Sequence, residues 1–196
     1  MKKAPLYNQL QNPPPKDEPL PLFDAPAVAS APLYPPENFA QVFPGVYRSS
    51  FPKRRNFDFL STIGIKTILT LMLEEYPKAN MTFYADNHMR FVQFGVSGNK
   101  EPFVEIDEDM IRSALEFILD KRNHPLLIHC NKGKHRTGCL VGALRKTCRW
   151  ALVPILEEYN VFAGSKPRFV DQQFIEFFDV TKVHVASVHL PDWALE

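Results

Sequence analysis

The sequence has few cysteines, almost no net charge and no long apolar run, and each shortage excludes something. Cys130, Cys139 and Cys148 are the only three cysteines in 196 residues, an odd number that argues against a secreted disulfide framework. A reducing compartment, cytoplasmic or nuclear, is the expectation. Lysine and arginine total 23 against 22 acidic residues, a net charge of +1. No global field therefore draws the chain to nucleic acid or to an acidic membrane, and any attraction for anions must be local. No apolar stretch approaches the roughly 20 residues that span a bilayer. The opening MKKAPLYNQL is broken by Pro5 where a signal peptide would carry its apolar core. The chain reads as a soluble protein with neither nucleic acid nor membrane as a stable partner. At 45% hydrophobic and 23% charged residues it can bury one good core.

Glycine is absent from the first 36 residues, which instead hold ten of the 18 prolines. Each proline removes a backbone donor and disfavours helix at the residue before it, so residues 1–40 read as an extended, proline-rich tail. A partner that reads proline-rich peptides could dock there. Phe39, Phe43 and Tyr47, with Pro44 and Gly45, place the start of packing near residues 38–43. Short apolar runs then alternate with longer amphipathic ones, the pattern of an α/β domain with helices on a mostly parallel sheet of four to five strands.

Strands are expected at 45–50, 65–71, 89–96 and 125–130. Helices are expected over about 54–63, 75–87, 107–122, 136–149, 152–163 and 169–179. Residues 97–106 read as a loop. Phe174, Phe177 and Phe178 read as core, as do Cys139 and Cys148. The domain is expected over 41–182, and residues 183–196 form an extension with enough apolar residues to pack somewhere.

The stretch that carries chemistry is His129-Cys130-Asn131-Lys132-Gly133-Lys134-His135-Arg136-Thr137-Gly138, between a buried strand and a helix. A helix N-terminus offers free N–H groups and a partial positive charge, so a loop ahead of it is an anion site. Cys130 at the loop's start, with the dipole and Arg136 close by, favours the thiolate. Five residues separate Cys130 from Arg136, enough for the loop to curl its amides and a bidentate guanidinium around one phosphoryl group. Gly133 suits a backbone at positive φ or in close approach to the ligand. Thr137 could donate its hydroxyl to the sulfur. The expected reaction has two steps, phosphocysteine formation at Cys130 and its hydrolysis by water, with no metal and no cofactor. His129 reads equally as a structural residue and as a tuner of the thiol.

The full pattern, HCxxGxxRT between strand and helix, resembles the signature of cysteine-dependent protein tyrosine and dual-specificity phosphatases. HCNKGKHRTGCLVGALRK, the upstream SGNKEPF and the downstream EEYNVFAGSKPRFVDQQFIEFFD are similar, more narrowly, to the plant and fungal atypical dual-specificity phosphatases that cleave inositol pyrophosphates. The resemblance covers roughly residues 41–180. It implies a compact phosphatase domain that needs no metal and hydrolyses the β-phosphate of a diphosphoinositol polyphosphate.

Lys132, Lys134 and His135 around the loop favour a densely charged small anion such as an inositol polyphosphate. Asn131 and Gly133 complete the loop's contacts. Lys100 and Asn99 would add a cation and a donor to the rim. The general acid is the open point: the resembling enzymes take an Asp from a loop roughly 30 residues before the cysteine, where this chain has Gly98, Asn99, Lys100 and Glu101. Glu101 or Asp107 could serve, with Asp107 also suited to cap its helix. Arg168 and Asp171 start the last helix, and Asp171 could brace the loop. Rival readings are a protein tyrosine, dual-specificity or phosphoinositide phosphatase using the same loop, and a phosphate-binding module without turnover.

Overall fold

The structure, a computed structural model, describes residues 32–98 and 106–194. Five strands form one sheet in the order β1(Ala40–Phe43), β2(Val46–Ser49), β5(Leu126–His129), β3(Thr67–Thr70), β4(Arg90–Gln93). β1 runs antiparallel to β2, and the other pairings are parallel. The mostly parallel sheet is therefore as expected. β1 was not anticipated as a strand: Pro44 and Gly45, the latter at φ +79°, turn the chain between β1 and β2. AQVF is too short to show a period.

Among the described residues six α-helices flank the sheet: α1(Phe57–Thr62), α2(Lys78–Asp86), α3(Glu108–Ile118), α4(His135–Thr147), α5(Leu152–Ala163) and α6(Phe169–Phe177). α3 ends earlier than its apolar pattern suggests. Asp120 accepts from the Arg122 amide and pulls the chain into a 3-10 turn at Lys121–Asn123. At its start, Asp107 accepts from the amides of Asp109 and Met110 and caps the helix.

Alternation along β5 explains the layers, because Leu126 and Ile128 enter one core with Ile111, Leu115, Leu140 and Leu144 while Leu127 enters another with Leu60, Ile68 and Tyr84. Side chains leaving both faces of a buried parallel sheet must be covered on both. Cys139 is fully buried in the first core, with Cys148 half-buried against it. Phe178 is buried and Phe174 partly so, but Phe177 is 68% exposed, because it lies on the outer side of α6.

Packing extends beyond 41–182 at both ends. The Glu37 carbonyl accepts from the Ser50 amide, and the Tyr34 carbonyl accepts from Asn56. Val183, Val185, Leu190 and Trp193 pack on the first core, and Trp193 stacks on Phe43 with ring centroids 4.2 Å apart. Its indole donates to the Pro44 carbonyl. Among the described residues no helix is long and apolar enough to cross a membrane.

The topology also sets the site's position. The chain passes from β2 to β3 leaving a slot that β5 fills later, so the carboxyl end of β5 opens where the winding reverses. Ligands of open α/β sheets bind at such a switch point.

Candidate active site

Cys130 follows the last residue of β5 and is 4% exposed at the floor of a cleft of about 550 Å³. The next loop runs from Asn131 to Lys134, and α4 begins at His135. The loop is tied to the segments just before β1 and just after β2. Phe51 N–H donates to the Asn131 carbonyl at 3.0 Å, and Asn38 donates to the Lys132 carbonyl at 2.7 Å.

Gly133 sits at φ +64°, and a Cβ there would lie 2.5 Å from the Ser49 backbone. Glycine is required twice over, by the left-handed conformation and by this close approach to β2. The crowding comes from protein backbone, a different cause from the ligand approach the sequence suggested.

Arg136 is half-buried on the first turn of α4 and lines the cleft. Its Nη1 donates to the carbonyls of Leu71 at 3.0 Å and Val96 at 3.2 Å, beyond the ends of β3 and β4. One nitrogen thus anchors the side chain and the remaining edge of the fork can address an anion. Thr137 is fully buried, and its hydroxyl has no hydrogen-bond partner among the described residues. The expected donation to the Cys130 sulfur is not formed.

The loop's polar residues have two roles, and His135 has both. Asn131, Lys132 and His135 line the cleft. Lys134 does not: its Nζ donates to the Ala163 carbonyl at 3.1 Å, at the last residue of α5. That carbonyl lies at the negative end of a helix, an attractive partner for an ammonium group. His135 Nε2 lies 2.8 Å from the Lys166 carbonyl, to which it donates as the N–H tautomer. Both residues therefore fix the segment between α5 and α6. That segment brings Lys166 and Arg168 to the cleft wall, cations the sequence reading did not place there. Lys132, Arg136, Lys166 and Arg168 face Glu74, the one carboxylate lining the cleft among the described residues. Two cations within the five residues GSKPR were the available signal.

Behind the loop lie two buried networks. On the α2 side, His129 is fully buried, and burial, with a smaller effect from Arg136, lowers its pKa to about 4. The ring is neutral, so its Nδ1–H donates to the Cys130 carbonyl at 3.2 Å and Nε2 accepts from the Tyr76 hydroxyl at 2.9 Å. Tyr76 in turn lies 3.0 Å from the Tyr84 hydroxyl, and burial pushes both phenols up. Asn80 reaches Tyr84 at 3.5 Å and donates to the Pro52 carbonyl at 2.8 Å.

On the α5 side, Arg48 is fully buried; its Nη2 donates to the Gly133 carbonyl at 3.1 Å and its Nη1 to Glu158 at 3.4 Å. Arg145 shares the same carboxylate at 2.5 Å. Asp171, fully buried, accepts from the Tyr159 hydroxyl at 2.7 Å. The Tyr159 ring packs against α4 at Gly138, where a Cβ would come within 2.8 Å of it. Asp171 is thus more than the start of a helix: it fixes the ring that supports the loop's following helix. Asn99, Lys100 and Glu101 lie outside the described residues. Asp107, the other carboxylate considered as a general acid, is engaged as the α3 cap.

Known proteins share this arrangement. Residues 33–195 match the tyrosine phosphatase family. The chain is similar to inositol diphosphatase DSP1 of Oryza sativa subsp. japonica, 50% identical over 159 residues that cover 81% of this chain and 70% of that protein. It is similar also to inositol diphosphatase SIW14 of Saccharomyces cerevisiae, 51% identical over 148 residues, 75% of this chain and 53% of the relative. Among solved structures, the Siw14 catalytic core superposes with a TM-score of 0.76 at 48% identity, covering 79% of this chain and 92% of that one. The likeness to plant and fungal dual-specificity phosphatases expected from HCNKGKHRTG is thus found over most of the chain. A match that runs through every strand and helix of the domain places the chain in the tyrosine phosphatase family.

Proposed function

We propose that this protein is a cysteine-dependent phosphatase that removes the β-phosphate from inositol pyrophosphates. The observation that carries the reading is the cleft's charge: among the described residues four cations and one carboxylate line it around Cys130, in a chain of net charge +1. Such a concentration suits a small, densely phosphorylated anion better than a singly phosphorylated side chain. The names of the relatives agree with this substrate class.

In the first step the Cys130 thiolate attacks the β-phosphorus, the S–P bond forms, and the bond from phosphorus to the bridging oxygen breaks. The electron pair leaves on the remaining phosphate ester. Arg136 and the loop amides hold the phosphoryl oxygens as charge shifts across them. In the second step water attacks the phosphocysteine, the S–P bond breaks, the thiolate returns, and the water's protons leave with orthophosphate.

A phosphate leaving group ionises near pH ~6 and departs at neutral pH with little protonation. A phenolate, with a conjugate acid near ~10, benefits strongly from a proton donor. Asp107 is committed to capping, which leaves Glu101 as the candidate general acid to test; a site with a weak general acid would favour anhydrides over aryl esters.

Phosphate release in EDTA, from a 5-diphosphoinositol polyphosphate and from a phosphotyrosine peptide, tests the proposal with wild type and Cys130→Ser. Faster, Cys130-dependent cleavage of the pyrophosphate is expected. Preference for the peptide would overturn the substrate, and no turnover on either would overturn the enzymatic reading.

A further inference from the structure

The loop that carries Cys130 has a second arginine beneath it, one that does not reach the cleft. Arg48 lies in β2, paired in register with Ile128 and one residue before the Ser49–His129 pair. It is the largest fully buried side chain of the described residues. The guanidinium lies 3.7 Å from the Phe162 ring centroid, so α5 covers its face while the Gly133 carbonyl and Glu158 take its edge. Its Nε has no hydrogen-bond partner among the described residues.

We propose that Arg48 is a positioning residue for the phosphate loop: its fork holds the Gly133 turn, and its buried charge favours the anionic form of the Cys130 thiol. The inference rests on Cys130 being the nucleophile, and not on which phosphate is cleaved.

The argument is one of charge balance. Burying a guanidinium is costly, and a well-packed apolar residue of similar volume would often serve stability as well or better. Burial lowers the Arg48 pKa to about 10, with Glu158 and then Cys130 acting against that loss, so the group stays charged at neutral pH. Glu158 is shared between Arg48 and Arg145, one carboxylate between two cations. Arg145 is further occupied by the faces of Trp150 at 4.0 Å and Phe43 at 4.9 Å. The pair of arginines therefore leaves about one positive charge uncompensated beside the loop, where a thiolate would supply the missing anion.

Arg136 and the N-terminus of α4 act on the thiol from the cleft side, and among the described residues the other groups around Cys130 add no cation behind the loop. From β5, His129 is neutral. From α4, Arg136 faces the cleft, Lys134 is turned to Ala163, and burial pushes the Cys139 thiol well up. From α6, the Asp171 carboxylate accepts from Tyr159. Arg48 is the cation on the β2 side, behind the loop.

The test reads the thiolate directly, through the pH dependence of iodoacetamide alkylation at Cys130, followed by mass spectrometry of the modified peptides. Cys139 is buried, and burial lifts the Cys148 thiol to about 11, so alkylation below pH 9 is resolved at Cys130. Arg48→Met removes the cation and should move the midpoint up by about 0.5–1 unit, while Glu158→Gln removes the shared anion and should move it down. Arg48→Lys keeps the charge but loses the fork; it should hold the midpoint while lowering kcat for a diphosphoinositol polyphosphate several-fold.

A role in packing alone would not split the two charge variants by sign. Shifts in the same direction, or no shift in either, would overturn the proposal. Should Arg48→Met fail to fold, an unmoved midpoint in Glu158→Gln would overturn it alone. Alkylation needs no substrate, so the proposed activity can fail while this measurement still decides the role of Arg48.

Discussion

The two sides of the sheet hold the same loop by different physics. On the α2 side the support is neutral: Asn80, Tyr84 and Tyr76 lead by hydrogen bonds to His129 and so to the Cys130 carbonyl. On the α5 side it is charged: Arg145, Glu158 and Arg48 lead to the Gly133 carbonyl. A neutral chain has a direction, because each hydroxyl gives one proton and His129 must accept at Nε2, so it depends on one protonation state. A charged chain has strength without that requirement, but its desolvation cost must be offset by complete pairing. The two supports meet at one loop, and they should fail under different conditions.

Removing the meeting point gives the largest effect. Gly133→Ala forces a Cβ to within 2.5 Å of the Ser49 backbone at a φ of +64°, so neither support can hold the loop in place. A stability loss of roughly 2–4 kcal/mol is expected, together with loss of turnover, as measured by urea denaturation and phosphate release.

Acid separates the supports. His129 titrates at about 4 when folded and near 6.5 when unfolded, so the unfolded chain binds the extra proton between those values. Stability is then full above pH ~6.5 and falls by about 3 kcal/mol as pH drops to ~4, with no further loss from this group below. Denaturation midpoints measured from pH 7 to pH 4 should show this slope. Tyr76→Phe cuts the same chain without acid, leaving His129 Nε2 and Tyr84 without their partner. It should cost about 1–3 kcal/mol at pH 7 and leave the alkylation midpoint of Cys130 less affected than Arg48→Met does.

The sequence made much of this arrangement legible, and the misses share a cause. Among the described residues periodicity located every strand but β1 and all six α-helices; β3 and β5 showed because TILT and LLIH are buried at every position and lie inside the longer runs IKTILTL and PLLIHC. Cys130, Gly133 and Arg136 were legible because a fixed spacing carries their chemistry. Arg48 was not: within VYRS a single arginine has the look of a solvent-facing residue, and only the packing of α5 reveals that it is covered. Lys134 was expected to face the substrate and Lys166 was given no role, for one reason. Composition places cations near a loop, but which cation faces inward depends on where α5 ends and offers a carbonyl, information held more than 25 residues away.

That exchange of roles supplies the finest test of the comparison, because two lysines of like charge now stand on opposite sides of one segment. Lys166 lines the cleft and is exposed, so Lys166→Met should raise KM for a diphosphoinositol polyphosphate several-fold with kcat nearly unchanged. The increase should shrink as salt is added, since the contact is solvent-facing and screened. Lys134→Met removes a strut: the Ala163 carbonyl keeps only the longer bond from the Lys166 amide at 3.4 Å, at a cost of about 0.5–1.5 kcal/mol, read as a Tm lower by a few degrees. Its effect on KM should follow only from a loosened segment, and so should not disappear with salt. If Lys134→Met instead gave the salt-dependent rise in KM and Lys166→Met the lower Tm, the charges would act as their sequence positions suggest, and the segment between α5 and α6 would not form the cationic wall. A His135→Ala variant, which releases the Lys166 carbonyl while leaving both lysines in place, should resemble a milder Lys134→Met in Tm. It would thereby show that the wall is built by what holds the segment as much as by the charge it carries.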